Sequence, residues 1–136
     1  MTATSFWRLT VRSSFSAAHA LRGYQGKCEN LHGHNYAVEM NVDGDTLDDD
    51  IEFAVDFSIL KQHLNDVLEL LDHKNLNELE PFTRMNATAE NLARYLFKKL
   101  KEQLSELPVE LHSVTVWETE KQGATYFETA SMTARL

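Results

Sequence analysis

The residues of this chain best suited to chemistry lie between Cys28 and His34, in the run Cys-Glu-Asn-Leu-His-Gly-His. His32 and His34 are two positions apart, and in an extended strand this spacing points both imidazoles to the same face. A third histidine, His19, ends the upstream run Phe-Ser-Ala-Ala-His. Three neutral imidazoles can bind zinc and leave a fourth tetrahedral position open, which is typical of a catalytic site. A thiol beside such a metal can serve as a nucleophile or a base.

Each part of this pattern also has an ordinary structural interpretation. Two histidines separated by one residue occur often by chance, and a single cysteine is usually a small buried hydrophobic residue. The combination indicates more than its parts, because Gly33 removes a side chain where the backbone can approach a ligand closely. The sequence therefore predicts a metal site at His19, His32 and His34, with Cys28 beside it.

Two acidic residues extend this set. Asp72 precedes His73 at the end of a predicted helix, where its carboxylate can orient the imidazole for proton transfer. The ordinary alternative is a histidine stabilised by the helix dipole. Glu118 shares a strand face with two valines, and its carboxylate can accept two N–H donors from one ligand. The ordinary alternative is a solvated carboxylate at a strand end.

The composition predicts one domain covering residues 1–136, long enough for a hydrophobic core. Hydrophobic residues make up 43% of the chain and charged residues 25%, as in ordinary soluble proteins. A net charge of −8 argues against nucleic-acid binding, which needs a basic surface. We expect neither a membrane span nor a signal peptide. A single cysteine cannot form an intrachain disulfide, which fits the reducing cytoplasm.

Alternating hydrophobic residues predict where the strands lie. A first strand starts near Trp7 and delivers His19 close to its end, and a second begins at the two neighbouring histidines. A short strand is predicted from Ile51 to Val55, after an acidic loop at 48–50. Two further strands follow residue 113, the last running from Thr125 to Arg135.

Helical periodicity predicts two helices between these pairs of strands. The first begins near Asp56 or Ser58, both competent caps, and ends at Asp72 and His73. The second begins at Thr88. Antiparallel hairpins with both helices between them predict a layered α+β fold.

Together, these motifs resemble the 6-pyruvoyl-tetrahydropterin synthase and 6-carboxy-tetrahydropterin synthase family. The resemblance runs from Phe15 to Glu118. It is carried in order by Phe-Ser-Ala-Ala-His (15–19), Cys-x-x-x-His-Gly-His (28–34), Val-Asp-Phe (55–57), Leu-Asp-His-Lys-Asn-Leu (71–76), Thr-Ala-Glu-Asn (88–91) and Val-Trp-Glu-Thr (116–119). Several separated motifs in the same order make it specific. Ala87 is a departure, because a proline commonly precedes Thr-Ala-Glu in the family.

The resemblance implies the tunnelling fold, an α+β fold with a four-stranded antiparallel sheet and two helices between the hairpins. Subunits of this fold join their sheets into a barrel, which implies a homohexamer with active sites between subunits. The resemblance also implies roles for individual residues. Zinc would be bound by His19, His32 and His34; Cys28 would be the thiolate that moves protons; Asp72 and His73 would form a dyad contributed by a neighbouring subunit; Glu118 and Thr88 would bind the pterin.

The implied reaction is the zinc-dependent conversion of 7,8-dihydroneopterin triphosphate to 6-carboxy-5,6,7,8-tetrahydropterin, a precursor of queuosine, with loss of acetaldehyde and triphosphate. The gap between Cys28 and His32 is closer to this bacterial branch than to the animal branch, which forms 6-pyruvoyl-tetrahydropterin. Glu29 leaves another product open, because the run from Glu29 to His34 resembles the branch that uses a glutamate. That branch cleaves the side chain to 6-hydroxymethyl-7,8-dihydropterin for folate. We favour the ordinary interpretation of Glu29, a solvated loop carboxylate.

Two functions of a different class fit parts of the pattern. A hydrolase that uses zinc-bound hydroxide needs no thiol. A non-catalytic pterin-binding protein needs neither Cys28 nor the dyad. The simultaneous presence of Cys28, Asp72, His73 and Glu118 favours the synthase.

Overall fold

A five-stranded sheet packs one face against two helices. The computed structural model describes residues 4–24, 26 and 29–128, so Cys28 lies outside the described residues. The elements are β1 (Trp7–His19), β2 (His32–Gly44), α1 (Phe57–Leu68), β3 (Lys74–Asn75), α2 (Ala89–Gln103), β4 (Glu110–Thr119) and β5 (Gln122–Phe127). The strand order is β3-β1-β2-β4-β5, antiparallel throughout except that β3 runs parallel to β1. The α+β fold agrees with the prediction, apart from the two-residue edge strand β3.

The hydrophobic core lies on the helix-facing side of β1 and β2. These strands pair in one register from Trp7 opposite Gly44 to His19 opposite His32. Alternate residues of both strands are buried, and the rings of Phe15 and Tyr36 stack with centroids 4.7 Å apart. Because side chains alternate along a strand, this buried face continues directly into the paired histidines.

The opposite face of β1 and β2 carries polar pairs across the strands. The guanidinium of Arg8 donates to both carboxylate oxygens of Asp43, at 2.7 and 3.0 Å. Ser16 Oγ donates to Oδ1 of Asn35 at 2.6 Å. A shift of one residue would place the polar side chains in the core, so the two faces together fix the register of the strands.

Helix α1 begins as predicted but ends earlier. Asp56 is its N-cap and accepts the N–H of Ser58 at 2.8 Å. The helix stops at Leu68, and the N–H groups of Leu70 and Leu71 bond three residues back, to the carbonyls of Val67 and Leu68. The prediction that Asp72 and His73 end this helix was therefore wrong. They lie in a turn beyond it.

The predicted strand from Ile51 to Val55 was also wrong. The carboxylate of Asp48 accepts N–H groups from residues 50, 51, 52 and 53, at 2.7 to 3.2 Å. These bonds close the segment into a loop, because the same N–H groups cannot also join a sheet ladder.

Helix α2 begins as predicted, with Thr88 as its N-cap accepting the N–H of Asn91 at 3.1 Å. Strand β5 begins three residues before the predicted Thr125, and residues 129–135 lie outside the described part of the chain. No described helix has both the length and the apolar character needed to span a membrane.

Candidate active site

Three histidines and one glutamate converge at the end of the buried sheet face. His19 is the last residue of β1 and lies opposite His32, the first residue of β2. His34 follows two positions later on the same face. One ligand atom from each of these histidines and from Glu118 lies within 4.8 Å of the others. The structure therefore brings together the three histidines predicted to bind zinc and adds a carboxylate to them.

The hydrogen bonds of two histidines define which ring nitrogen carries the proton. Nδ1 of His19 lies 2.8 Å from the carbonyl oxygen of Ala87, and Nδ1 of His32 lies 2.7 Å from that of Asn30. A carbonyl only accepts, so in the neutral rings each Nδ1 carries the hydrogen and each Nε2 carries a lone pair. The two Nε2 atoms are 2.9 Å apart. Two lone pairs at this separation repel each other unless a cation lies between them, and a metal ion meets that need.

His34 contributes a nitrogen that no hydrogen bond satisfies. Its buried Nε2 has no hydrogen-bond partner within the described chain. It lies 3.2 Å from Oε1 of Glu118, close enough for an ion pair but not aligned for a hydrogen bond. Burial lowers the pKa of His34, although Glu118 opposes this, and burial also lowers the pKa of His19. Neutral imidazoles with inward lone pairs are the form that binds a metal, so the residues present fit zinc.

Tyr36 supports this cluster and was not predicted from the sequence. Its hydroxyl oxygen lies 3.3 Å from Nδ1 of His19, and its ring is fully buried. Burial, reinforced by the negative charge of Glu118, raises the pKa of Tyr36 well above its ordinary value. The phenol therefore stays neutral and helps to hold the ring of His19. The signal was its position on the same strand face as His32 and His34.

Asp72 and His73 form a hydrogen-bonded pair at the edge of the sheet. Oδ2 of Asp72 accepts from Nδ1 of His73 at 2.9 Å, while Oδ1 accepts the N–H of Ser16 at 2.9 Å. The N–H of Ser16 is the main reason that the pKa of Asp72 is lowered, followed by the bond from His73. The backbone N–H of His73 in turn donates to the carbonyl of Ser16 at 2.6 Å. The main chain of Ser16 therefore holds both members of the dyad.

The backbone of His73 is unusual, with a φ of 58°. Left-handed backbone is uncommon for a residue with a side chain and persists where surrounding contacts fix it. The hydrogen bond from its own N–H to the carbonyl of Ser16 supplies such a contact. The imidazole of His73 remains 82% exposed, so Nε2 can reach a ligand. An open cleft beside His73 lies on the face of the sheet that carries the side chains of Ser16 and Asn35, opposite the histidine cluster.

Comparison with known proteins decides the family. Residues 8–129 match the 6-pyruvoyl tetrahydropterin synthase family. The chain belongs to this family of tetrahydropterin synthases. It is 38% identical over 125 residues to the 6-carboxy-5,6,7,8-tetrahydropterin synthase of Synechocystis sp., with 89% of this chain and 93% of that protein covered.

Two further relatives carry different names. Dihydroneopterin monophosphate aldolase of Pyrococcus furiosus is 33% identical over 116 residues, covering 85% of this chain and 93% of that protein. The structure of Caenorhabditis elegans 6-pyruvoyl tetrahydropterin synthase has a TM-score of 0.80 and 34% identity, covering 95% of this chain and 100% of that one. The predicted family and fold are confirmed, while the barrel of joined subunits stays a prediction.

Thr88 and Glu29, two further predicted site residues, are sequence neighbours of Ala87 and Asn30, whose carbonyls bond His19 and His32. Thr88 uses its Oγ1 to cap helix α2, and its hydroxyl hydrogen can still be donated to a ligand. Glu29 is exposed in a short turn, where its backbone N–H donates to the carbonyl of Gly26 at 3.2 Å. Cys28 lies outside the described residues. Their roles stay predictions.

The sequence could not indicate the two carbonyl groups that orient His19 and His32. Ala87 and Asn30 act through main-chain atoms, which every residue type carries. The departure from proline at Ala87 keeps this acceptor, since alanine and proline carry the same main-chain carbonyl.

Proposed function

We propose that this protein converts 7,8-dihydroneopterin triphosphate to 6-carboxy-5,6,7,8-tetrahydropterin, releasing acetaldehyde and triphosphate, with zinc held by His19, His32 and His34. The observation that most supports this is the meeting of three imidazoles. Nε2 of His19 and Nε2 of His32 carry lone pairs and lie 2.9 Å apart, and Nε2 of His34 has no hydrogen-bond partner in the described chain. A zinc ion bound there supplies Lewis-acid activation of the oxygens on the substrate side chain.

Glu118 would anchor the pterin ring. Its carboxylate lies at the edge of the cluster, where it can accept two N–H donors from the ring. The half-buried side chain is 24% exposed, so a bound ring would displace water from it. This role competes with a second one, because the carboxylate is also close enough to His34 to be a metal ligand. A catalytic zinc site keeps a position open for substrate, which favours the role in ring binding.

Cys28 and the dyad would move protons on the substrate side chain. A free thiol has a pKa of about 8.5, so the thiol of Cys28 needs a neighbouring cation to act as a thiolate at neutral pH. His73 holds Nδ1 against Asp72, which leaves Nε2 as the nitrogen that exchanges a proton. The carboxylate keeps the ring oriented and stabilises its protonated form.

The carboxy product is supported by the spacing from Cys28 to His32. The relative from Synechocystis sp., which is named a 6-carboxy-5,6,7,8-tetrahydropterin synthase, supports it as well. It would place the protein in queuosine biosynthesis. The 6-pyruvoyl product remains the alternative within the same chemistry.

A second candidate is cleavage of the side chain to 6-hydroxymethyl-7,8-dihydropterin, with Glu29 as the acid–base group. It is favoured by the exposure of Glu29 next to Asn30, whose carbonyl holds the metal ligand His32. The aldolase relative from Pyrococcus furiosus supports it as well. In this reaction Cys28 would be dispensable.

Assembly into a homohexamer is part of the proposal. β3 pairs only with Ala17 and Ala18 of β1, so within the described chain the outer edge of residues 7–15 has no strand beside it. The outer edge of β5 is likewise the end of the sheet. Long unpaired edges pair readily with other chains, and joined sheets would remove them.

The test is direct. The purified, zinc-loaded protein is incubated with 7,8-dihydroneopterin triphosphate, and the products are identified by mass spectrometry. Formation of 6-carboxy-5,6,7,8-tetrahydropterin with acetaldehyde supports the proposal, and a pyruvoyl or hydroxymethyl product replaces it with the corresponding alternative. A His32→Ala variant serves as the metal-depleted control, and an unconsumed substrate would reject the synthase function.

A further inference from the structure

Two asparagine side chains bind the main chain that directly follows His19. The ladder between β1 and β2 ends where His19 lies opposite His32, and no strand of the described chain pairs with residues 20–22. The amide of Asn77 accepts the N–H of Ala20 through Oδ1 and donates to its carbonyl through Nδ2, both at 2.9 Å. Asn77 thus takes the place of a neighbouring strand, because an amide side chain carries the same donor and acceptor as a peptide group.

The second amide binds Arg22 in the same way. Oδ1 of Asn86 accepts the N–H of Arg22 at 2.9 Å, and Nδ2 of Asn86 donates to the carbonyl of Arg22 at 3.0 Å. The guanidinium of Arg22 donates in turn to the carbonyls of Met85 and Asn77, at 3.3 and 3.4 Å. The short segment after His19 is therefore held by two separate parts of the chain, the 3₁₀ turn that contains Asn77 and the residues that precede helix α2.

Asn86 also holds a hydrogen-bond partner of His19. The residue after it is Ala87, whose carbonyl accepts the hydrogen of His19 Nδ1 at 2.8 Å. The carbonyl of Asn86 itself accepts Nδ2 of Asn91, in the first turn of α2, at 2.9 Å. Asn86 is thereby fixed both to Arg22 and to the helix. A displacement of Asn86 would move the carbonyl that orients the ring of His19.

We propose that Asn77 and Asn86 are positioning residues of the metal site, which fix His19 so that its Nε2 meets that of His32. The inference rests on the proposed function, in which His19 binds zinc. Asn77 fixes the residue that follows His19, and Asn86 fixes the carbonyl that receives its ring hydrogen. Groups that orient a metal ligand in this way strengthen metal binding without touching the metal.

The experiment measures zinc affinity by competition with a chromophoric chelator, together with the unfolding free energy of the metal-free protein. Asn86→Ala is expected to weaken zinc binding about tenfold, at the low end of the effect of outer partners, because it acts through Ala87. Asn77→Ala leaves Ala87 and its hydrogen bond in place and should weaken zinc binding severalfold.

Asn41→Ala is the matched control. Asn41 is half-buried like Asn77 and Asn86, and its amide bonds Thr10 and Ser113. It lies on the face of β2 opposite His32 and His34, because side chains alternate along a strand. The variant should lower the unfolding free energy but keep the zinc affinity of the parent.

Cobalt(II) bound in place of zinc gives a second readout, which a purely structural role would not change. Its visible spectrum depends on the geometry of its ligands. Asn86→Ala should alter this spectrum, because the ring of His19 loses its fixed orientation. Asn41→Ala should give the spectrum of the parent.

Three results would overturn the proposal: parent zinc affinity in either folded variant of Asn77 or Asn86, an equal loss of affinity in Asn41→Ala, or a parent that binds no zinc. If Asn86→Ala does not fold, Asn77→Ala decides, since it acts on the same segment without contact to Ala87. None of these measurements requires turnover. A failure to convert dihydroneopterin triphosphate would therefore reject the proposed function without changing their outcome.

Discussion

Nδ1 of His19 donates to the carbonyl oxygen of Ala87 across 2.8 Å, which ties a predicted zinc ligand on β1 to the residue before the cap of helix α2. The bond has two consequences. It directs the lone pair of His19 Nε2 toward His32, and it couples the position of the ligand to the start of a helix. Ligand orientation by such outer partners typically changes metal affinity by about 10–100-fold.

Removal of one histidine of the cluster should remove the metal. We expect one zinc per parent chain and almost none in His32→Ala, because two imidazoles hold the ion much less well than three. Metal analysis by mass spectrometry measures this. His63→Ala is the matched control, since His63 lies on α1 and bonds Gln103 instead. Full zinc occupancy in His32→Ala would disprove the ligand assignment.

Glu118→Gln should separate ring binding from metal binding. The variant keeps the shape of the side chain, but its amide is uncharged and has only one oxygen, so it cannot accept two N–H donors as the carboxylate does. Loss of one partner of a buried charged hydrogen bond costs about 2–5 kcal/mol of binding, so pterin affinity should fall strongly in calorimetry. Zinc content should stay at the parent level. If zinc is lost as well, the carboxylate is a metal ligand and not the ring anchor.

Variants of Cys28 and Glu29 should distinguish the two branches. If the thiolate is the acid–base group, Cys28→Ala loses the carboxy product by about 10²–10⁴-fold or more while zinc stays bound. Glu29→Ala then has little effect, because its carboxylate would be a solvated loop group. Product analysis by mass spectrometry checks both. A hydroxymethyl product that survives Cys28→Ala and disappears in Glu29→Ala would move the protein to the folate branch.

The dyad should make stability depend on pH in the acid range. The pKa of Asp72 is lowered below its ordinary value near 3.8, first by the N–H of Ser16 and then by His73. A carboxyl whose pKa is lower in the folded state stabilises the protein above its unfolded pKa, and this contribution disappears as pH falls through the folded value. Asp72→Asn should be less stable than the parent at pH 7.

Denaturant unfolding at several pH values measures this difference. The difference in unfolding free energy between the parent and Asp72→Asn should become smaller as pH falls below about 4. A gap that stays constant down to pH 2 would show that the charge of Asp72 does not contribute.

The two arginine–carboxylate pairs between β1 and β2 should contribute differently to the free energy of unfolding. Asp43 is 5% exposed and bonds Arg8 through both oxygens, whereas the side chain of Arg12 is 79% exposed beside Glu39. Asp43→Ala should cost about 2–3 kcal/mol of unfolding free energy, below the usual 3–5 kcal/mol for a broken buried pair because Arg8 is partly solvated. Arg12→Ala should cost about 0.2–1 kcal/mol. Equal losses in thermal unfolding would contradict this ranking.

The sequence predicted those parts of the fold and site that depend on local pattern. Alternation placed His32 and His34 on one face of a strand that begins at His32, and a capping threonine placed the start of α2 at Thr88. Local pattern also misled at Ile51–Val55. There, hydrophobic residues of strand type follow Asp48, whose carboxylate takes the N–H groups that a strand would need.

Only the tertiary structure decided which partners orient the site. The carbonyl of Ala87 bonds His19 across 68 residues of chain, and the N–H of Ser16 bonds Asp72 across 56. The place of Glu118 beside His34 depends on β4 pairing with β2, with both helices between them in sequence. Spacing along the chain sets which side chains share a strand face or helix turn, because those geometries repeat every two or about 3.6 residues. Contacts between distant segments depend on how whole elements pack, and the main-chain groups that make them are the same in nearly every residue.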